Sequence, residues 1–392
     1  MASAALVVLG GLATLGPVAA AQGGRKERSE VDPYTKGDAQ AMERAGYKNF
    51  GPFLLGEGHT SESAEAKLGN VPLLWIETEH FRLGCSLDAY RIEGKQERKR
   101  LREELAQLGE VLPRVKPKVR SLDPWLRAHL YARRLEELYA GFCETLGVLP
   151  ADAAPVEGQA RIGTKGPMSV LLVQRQSSLS RYTQEYCQTH RDDAHTEYFL
   201  GTGTFLYGIA DDSVEADDSA LHYATTFGVA QALAFSIHGF PTTPPRWWTE
   251  GLGRYFARRV NQECQLYVSA VGEALPSDEL ADWETLVLGR VKAAYYPDWQ
   301  STLAWTDGSQ MKFADHILLW SRMDYLLAQE LDVRAKLVEA FHAPIEHGGD
   351  VATRHAGALE GATGKDLDTL DLAWSQWVQK HYTKKGRKRR TR

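Results

Sequence analysis

The apolar positions of this 392-residue chain change rhythm from segment to segment, and each rhythm predicts an element. Leu73, Leu74, Trp75, Ile76, Phe81 and Leu83 form a partly alternating run that predicts one or two strands, with Glu77 to Glu79 near a bend. Two helical segments follow, the first from about Asp88 to Leu112 and the second from Pro124 to Gly147. The second is well marked: Asp123 caps it, Pro124 takes the first helical position, and Leu126, Leu130, Leu138, Phe142 and Leu146 recur at multiples of four. Met168 to Val173 is an apolar run of strand length, and Ser177 to Phe199 is polar. The next piece, LGTGTFLYGIADD, is strand-like but punctuated by Gly201, Gly203 and Gly208. Glycine weakens a strand unless another backbone comes close, so this strand is expected at a sheet edge beside a cleft.

Two helices then dominate the pattern. Asp217, Asp218 and Ser219 offer an N-cap to LHYATTFGVAQALAFSI, which carries no charge from Ala224 through Ile237 and is therefore expected to be central and buried. After Pro244 and Pro245 comes RWWTEGLGRYFARRV, in which Glu250 stands close to Trp247 and Trp248. A carboxylate is rarely buried without a partner, so a metal ion or a basic group is expected beside it. Beyond residue 310 the pattern is mainly helical, with Trp374 and Trp377 on the last helix. The order describes an α+β protein: a small mixed sheet with a glycine-rich edge strand, a central buried helix, and a largely helical C-terminal half. The expected divisions are a signal peptide at 1–21, an extended arm at 22–69 with one short helix around Ala39 to Ala45, a main domain at 70–305, a helical subdomain at 306–383 and a basic tail at 384–392.

The signal peptide rests on an uncharged stretch, Ala2 to Val18, that runs into Ala19-Ala20-Ala21, a small-residue cleavage site. No Lys or Arg precedes it. Export to a periplasmic, secreted or envelope-associated location is expected, with no transmembrane anchor after cleavage. The composition, 43% hydrophobic and 25% charged, is that of a globular protein with a sizeable core. Cys85, Cys143, Cys187 and Cys264 are far apart and admit three disulfide pairings without defining a cysteine scaffold. Seven of the last nine residues are Lys or Arg, so the rest of the chain carries −12 of charge against −5 for the whole. Such a tail can contact polyanions, but no aromatics interleave it and no specific nucleic acid is expected.

Pro245 to Phe256, following a buried helix that opens with a histidine, resembles the second active-site helix of the gluzincin metallopeptidases, in particular the peptidase MA-like group. The resemblance implies a zincin-like fold over roughly residues 70 to 383. In that family the first helix reads His-Glu-x-x-His and the second supplies a glutamate. Two histidines four apart hold zinc from one helix face, and the glutamate beside the first takes a proton from zinc-bound water. Carried over, His222 falls on the first ligand and Glu250 on the third. Tyr223 replaces the general base, Thr226 the second histidine and Gly253 the alanine after the Glu-Gly pair. Tyrosine, with an ordinary pKa of about 10, is a poor base at neutral pH, and two protein ligands fall short of the three usual for catalytic zinc. No catalytic residue is assigned, and zinc binding is expected to be weak or absent.

Together, the leader and the resemblance lead to the expectation of an exported protein with a degenerate motif, HYATT, that lacks ordinary peptidase activity and binds a peptide or an extracytoplasmic protein. Trp247, Trp248, Gly201 and Gly203 are the candidates for its cleft. The alternative is a working zinc hydrolase that recruits a ligand from Cys187, His190 and His195, which stand as C-x2-H-x4-H. A third reading is a structural envelope protein attached through its arm and tail. His238 lies too far along the helix to join His222, about 24 Å away at the usual rise, and His80 is expected to be structural. His222 and Glu250 also admit a purely structural role, in buried contact with each other or with Arg254 and Tyr223.

Overall fold

A computed structural model describes residues 31–157, 159–214, 217–237, 244–266, 281–305, 311–342 and 351–382. The signal peptide, His238 and the basic tail lie outside the described residues. A five-stranded sheet organises the rest. Its strands are β3 (Leu74–Glu77), β4 (Phe81–Cys85), β7 (Met168–Val173), β8 (Ala194–Phe199) and β9 (Thr204–Ala210), in the order β3-β4-β7-β9-β8. The three inner strands run parallel, and the two outer ones are antiparallel to their neighbours. The protein is therefore α+β, with a mixed sheet.

Successive residues of a strand point to opposite faces, and here both faces are covered. Leu83, Val170, Leu172, Tyr207 and Ile209 face a large core with α4 (Pro124–Leu146) and α6 (Asp218–Ser236). Trp75, Leu171, Val173, Leu206 and Ala210 face a smaller core with α2 (Ser61–Lys67) and α5 (Gln176–Tyr186). Burial on both sides explains why β7 reads as an unbroken apolar run rather than an alternation.

The caps expected for α4 are present: Asp123 accepts from the Leu126 amide, and Gly147 closes the helix in a left-handed conformation. The first helical segment is shorter than expected. It forms α3 (Lys95–Val111), because Tyr90–Arg91 (β5) pairs with Ser121–Leu122 (β6) and Gly94 then caps the helix. The arm is also less extended than expected. It contains the short helix α1 (Ala39–Arg44), but Leu54–Gly56 (β1) and His59–Thr60 (β2) form a hairpin leading into α2.

The edge strand differs as well. It is β8, which has no glycine and came from the segment read as polar, whereas β9 with Gly208 is one place inside it. Gly201 and Gly203 lie in the turn between them, Gly203 with a φ of 66°. The glycine signal marked the hairpin turn rather than the edge. Gly208 marks a close approach of α5, since a Cβ there would stand 2.7 Å from Leu179.

α6 lies against the sheet and is covered on its other side by α7 (Arg246–Val260). Its contact with β9 depends on Gly228, where a Cβ would stand 2.0 Å from the Tyr207 ring. That close approach lets the Tyr207 hydroxyl donate to the carbonyl of Ala224 at 2.9 Å. After α7 come α8 (Trp283–Lys292), α9 (Trp299–Leu303), α10 (Phe313–Leu327), α11 (Leu331–His342), α12 (Val351–Thr363) and α13 (Leu367–His381), which make the C-terminal part helical as expected. Trp374 on α13 is buried and donates to Ser321 on α10. Among the described residues no helix is long and apolar enough to cross a membrane, and no disulfide links the four cysteines.

Candidate functional site

Glu250 sits in the second turn of α7, 2% exposed, and its carboxylate is surrounded by donors. Arg254, one turn on, donates from Nε to Oε1 at 3.0 Å, with its NH2 also 3.0 Å away. His316 Nδ1 on α10 lies 2.9 Å from the same oxygen, and Gln231 on α6 donates to Oε2 at 3.2 Å. Arg246 adds a weaker charge at 3.7 Å. Burial raises the carboxyl pKa, but Arg254 and the His316 hydrogen bond outweigh it and hold it down at about 2. Glu250 is therefore ionised and fully engaged.

Arg254 is equally enclosed. Its NH1 donates to the Tyr223 hydroxyl at 3.1 Å and to the Leu266 carbonyl at 2.7 Å, and its guanidinium lies 4.4 Å from the centre of the Phe227 ring. Gly253 makes room for that ring, because a Cβ there would meet Phe227 at 2.8 Å. Tyr223, Phe227 and Gln231 are four apart in turn and so share one face of α6, the face presented to Glu250 and Arg254.

His222 occupies the opposite side. It is nine residues before Gln231, which is half a revolution around the helix and about 13.5 Å along it. Its ring packs edge-on to Tyr131 of α4 with centroids 6.3 Å apart, beside the Asp218–Arg134 pair, whose atoms are 2.7 Å apart. Its Nδ1 is enclosed without a hydrogen-bond partner, and burial together with the charge of Arg134 pushes its pKa well down. His222 is thus a neutral side chain facing α4. The expected ligand pair, His222 and Glu250, is not brought together. The residues four apart that do face Glu250 are Phe227 and Gln231, neither of which is a useful zinc ligand. Thr226 is buried and remains a hydroxyl without metal-ligand chemistry.

A resident zinc ion does not fit this centre. The carboxylate it needs is already bonded to a buried guanidinium, and a divalent ion about 4 Å from that charge would be repelled by roughly 8 kcal/mol at an effective dielectric of about 20. The Arg254 guanidinium supplies the positive charge instead. The arrangement can neutralise a buried carboxylate and fix α6, α7 and α10 to one another.

The expected cleft residues also move. Trp247 and Trp248 are 1% and 0% exposed, and both rings pack against Phe341 on α11. They are core residues because α7 is enclosed by α6 and α10 on either side. Gly201 abuts the Glu57 carboxylate, to which its amide donates at 3.4 Å. His80 is paired with Glu136 at 2.7 Å, a structural role as expected.

Of the C-x2-H-x4-H residues, Cys187 and His195 come together with Glu197, their ligand atoms all within 4.8 Å of one another. His190 instead bonds the Ser180 hydroxyl at 3.0 Å. Gln231, Phe227, His316 and Glu197 were not singled out in the sequence. Gln231 is the one amide in α6, and His316 stands alone beside the apolar run Ile317 to Trp320. Comparison with known proteins finds no family model that matches the chain and no match among curated proteins.

Proposed function

We propose that this chain is an exported, zincin-like module without peptidase activity that binds an extended peptide or protein segment along strand β8. The observation supporting the loss of catalysis is the engagement of Glu250 by Arg254, His316 and Gln231. A carboxylate that is to hold zinc must be free to meet the ion, and this one is committed to Arg254, His316 and Gln231.

The binding side of the proposal draws on the sheet edge. β8 has a neighbouring strand on one side only. The Ala210 amide donates to the Asp193 carbonyl, so the hydrogen-bonded pairs of the ladder continue at His195–Gly208 and Glu197–Leu206. The backbone groups of Ala194 and Thr196 consequently point away from β9, and Thr196 is exposed. An extended segment adds to such an edge through main-chain hydrogen bonds. The opposite edge is less accessible, because the amide of Lys48 and the carbonyl of Asn49 already bond Glu77 of β3.

The test uses the mature protein starting at residue 22. It is expected to hydrolyse no peptide in a mixed library with zinc present, and to retain a subset of extended peptides. Thr196→Pro removes an outward donor while leaving the ladder to β9 intact, so retention is expected to fall about tenfold with thermal stability little changed. Zinc-dependent hydrolysis, or retention unaffected by Thr196→Pro, would overturn the reading.

A further inference from the structure

Cys187 ends α5, and the chain returns as β8 through a short connection held in place at both ends. The Cys187 and Thr189 amides donate to the Thr183 carbonyl, and the Thr183 hydroxyl bonds both the amide and the carbonyl of Arg191. Asp193 accepts from the Ala210 amide and the Ser213 hydroxyl. These bonds set the C-terminus of α5 over one face of β8. His195 and Glu197, two apart, share a face of that strand with Phe199, which is buried in the small core where α5 packs. Cys187 packs against the same core.

We propose that Cys187, His195 and Glu197 bind a zinc ion that clips the end of α5 to the edge strand. A thiolate, an imidazole and a carboxylate are the three ligand types zinc takes, with bonds of about 2.0–2.3 Å. A tetrahedral ion with those bonds holds its ligand atoms about 3.5 Å apart. The three ligand atoms here lie within 4.8 Å of one another, with His195 Nε2 already 3.0 Å from Glu197 Oε2, so small side-chain rotations close the site. All three residues are partly exposed, which gives an ion a route in and leaves the fourth position to water or to a side chain of a bound partner. Binding forms a zinc–sulfur bond and releases the thiol proton to solvent. A thiol is protonated at neutral pH, so about one proton is expected to leave per ion bound. The ligand set shares no residue with the Glu250 centre and stands independently of the function proposed above.

The test is titration of the mature protein with Zn²⁺, and with Co²⁺ as a spectroscopic substitute. One equivalent is expected to bind, and the cobalt form is expected to show a thiolate-to-metal band in the near ultraviolet. Cys187→Ala and Glu197→Gln are expected to weaken binding tenfold or more, a loss no smaller than that for a residue merely supporting a ligand, while His190→Ala leaves it unchanged. Alkylation of the wild-type protein gives a readout that needs no variant: zinc is expected to protect Cys187 from modification. A cobalt complex without the thiolate band, zinc affinity unchanged in Cys187→Ala, or alkylation of Cys187 unaffected by zinc would each overturn the proposal.

Discussion

At the residue scale, the fate of Glu250 turns on which residue stands four positions after it. Arg254 carries a fixed charge 3.0 Å from the carboxylate, and its NH1 is also bonded to Tyr223 and Leu266. Breaking a buried pair leaves an uncompensated charge, so Arg254→Met is expected to cost about 3–5 kcal/mol in equilibrium unfolding. The sign of its pH dependence follows from the carboxyl. In the wild type Glu250 has a folded pKa of about 2, below its unfolded value, so its contribution is complete above about pH 4.5 and is lost as pH falls toward 2. Without Arg254 the buried carboxyl titrates higher, and the deficit of the variant is expected to shrink as pH is lowered. A deficit that is constant between pH 7 and pH 4 would contradict this account. The need for a partner was legible in the sequence as one acid among large aromatics. The choice between Arg254 and a metal was not, because it depends on which face of α6 meets α7.

At the element scale, local chemistry was read well where caps and apolar spacing agreed. The span of α4, the N-cap of α6 at Asp217, and β7 all formed as the sequence indicates. Elements carried by polar residues are hidden in the sequence. Leu179, Tyr182 and Thr183 are the buried stripe of α5, but Ser, Gln and Arg between them hid the spacing. The register of α6 is illegible in the sequence for a related reason. A helix apolar nearly all round gives no stripe from which to tell its faces, so nothing in the sequence shows that His222 faces α4 rather than α7.

The start of the described chain packs Tyr47 against His129 and Phe50 against Trp125 of α4, and polar contacts join it to the same helix. Asp32 Oδ1 lies 3.0 Å from His129 Nε2, and the other ring nitrogen lies 2.8 Å from the Tyr47 hydroxyl. Burial works against the Asp32 carboxylate, but the hydrogen bond and charge of His129 prevail and lower its pKa to about 2. Asp32→Ala leaves His129 buried without that partner. Limited proteolysis of the variant is expected to cut within residues 31–50 at least tenfold faster than in the wild type, while the sheet and α4 resist. Equal cutting rates would show that the Asp32–His129 contact does not hold this segment down. Because the folded pKa is depressed, the wild-type segment is expected to stay docked above about pH 4 and to loosen as pH approaches 2.

At the scale of the whole molecule, the two sites divide the protein between scaffold and surface. The Glu250 cluster ties three helices together deep in the larger core, whereas Cys187, His195 and Glu197 lie at the edge of the sheet, where a partner can reach them. The sequence suggested a metal centre and supplied two of the residues now assigned to one, Cys187 and His195. It offered no way to see that Glu197 joins them, because that requires the pleat of β8 and the end of α5 to be superposed. Export, expected from the uncharged leader, and partner binding, proposed at the edge strand, enter the functional proposal together.

The central claim is that an internal guanidinium, not a metal ion, neutralises Glu250. A crystal structure of the mature protein grown with excess zinc, with anomalous scattering used to locate the ion, tests it most directly. The expected result is Arg254 within hydrogen-bonding distance of Glu250 and zinc density between Cys187, His195 and Glu197. Zinc bound to Glu250, with the Arg254 side chain displaced, would contradict the account.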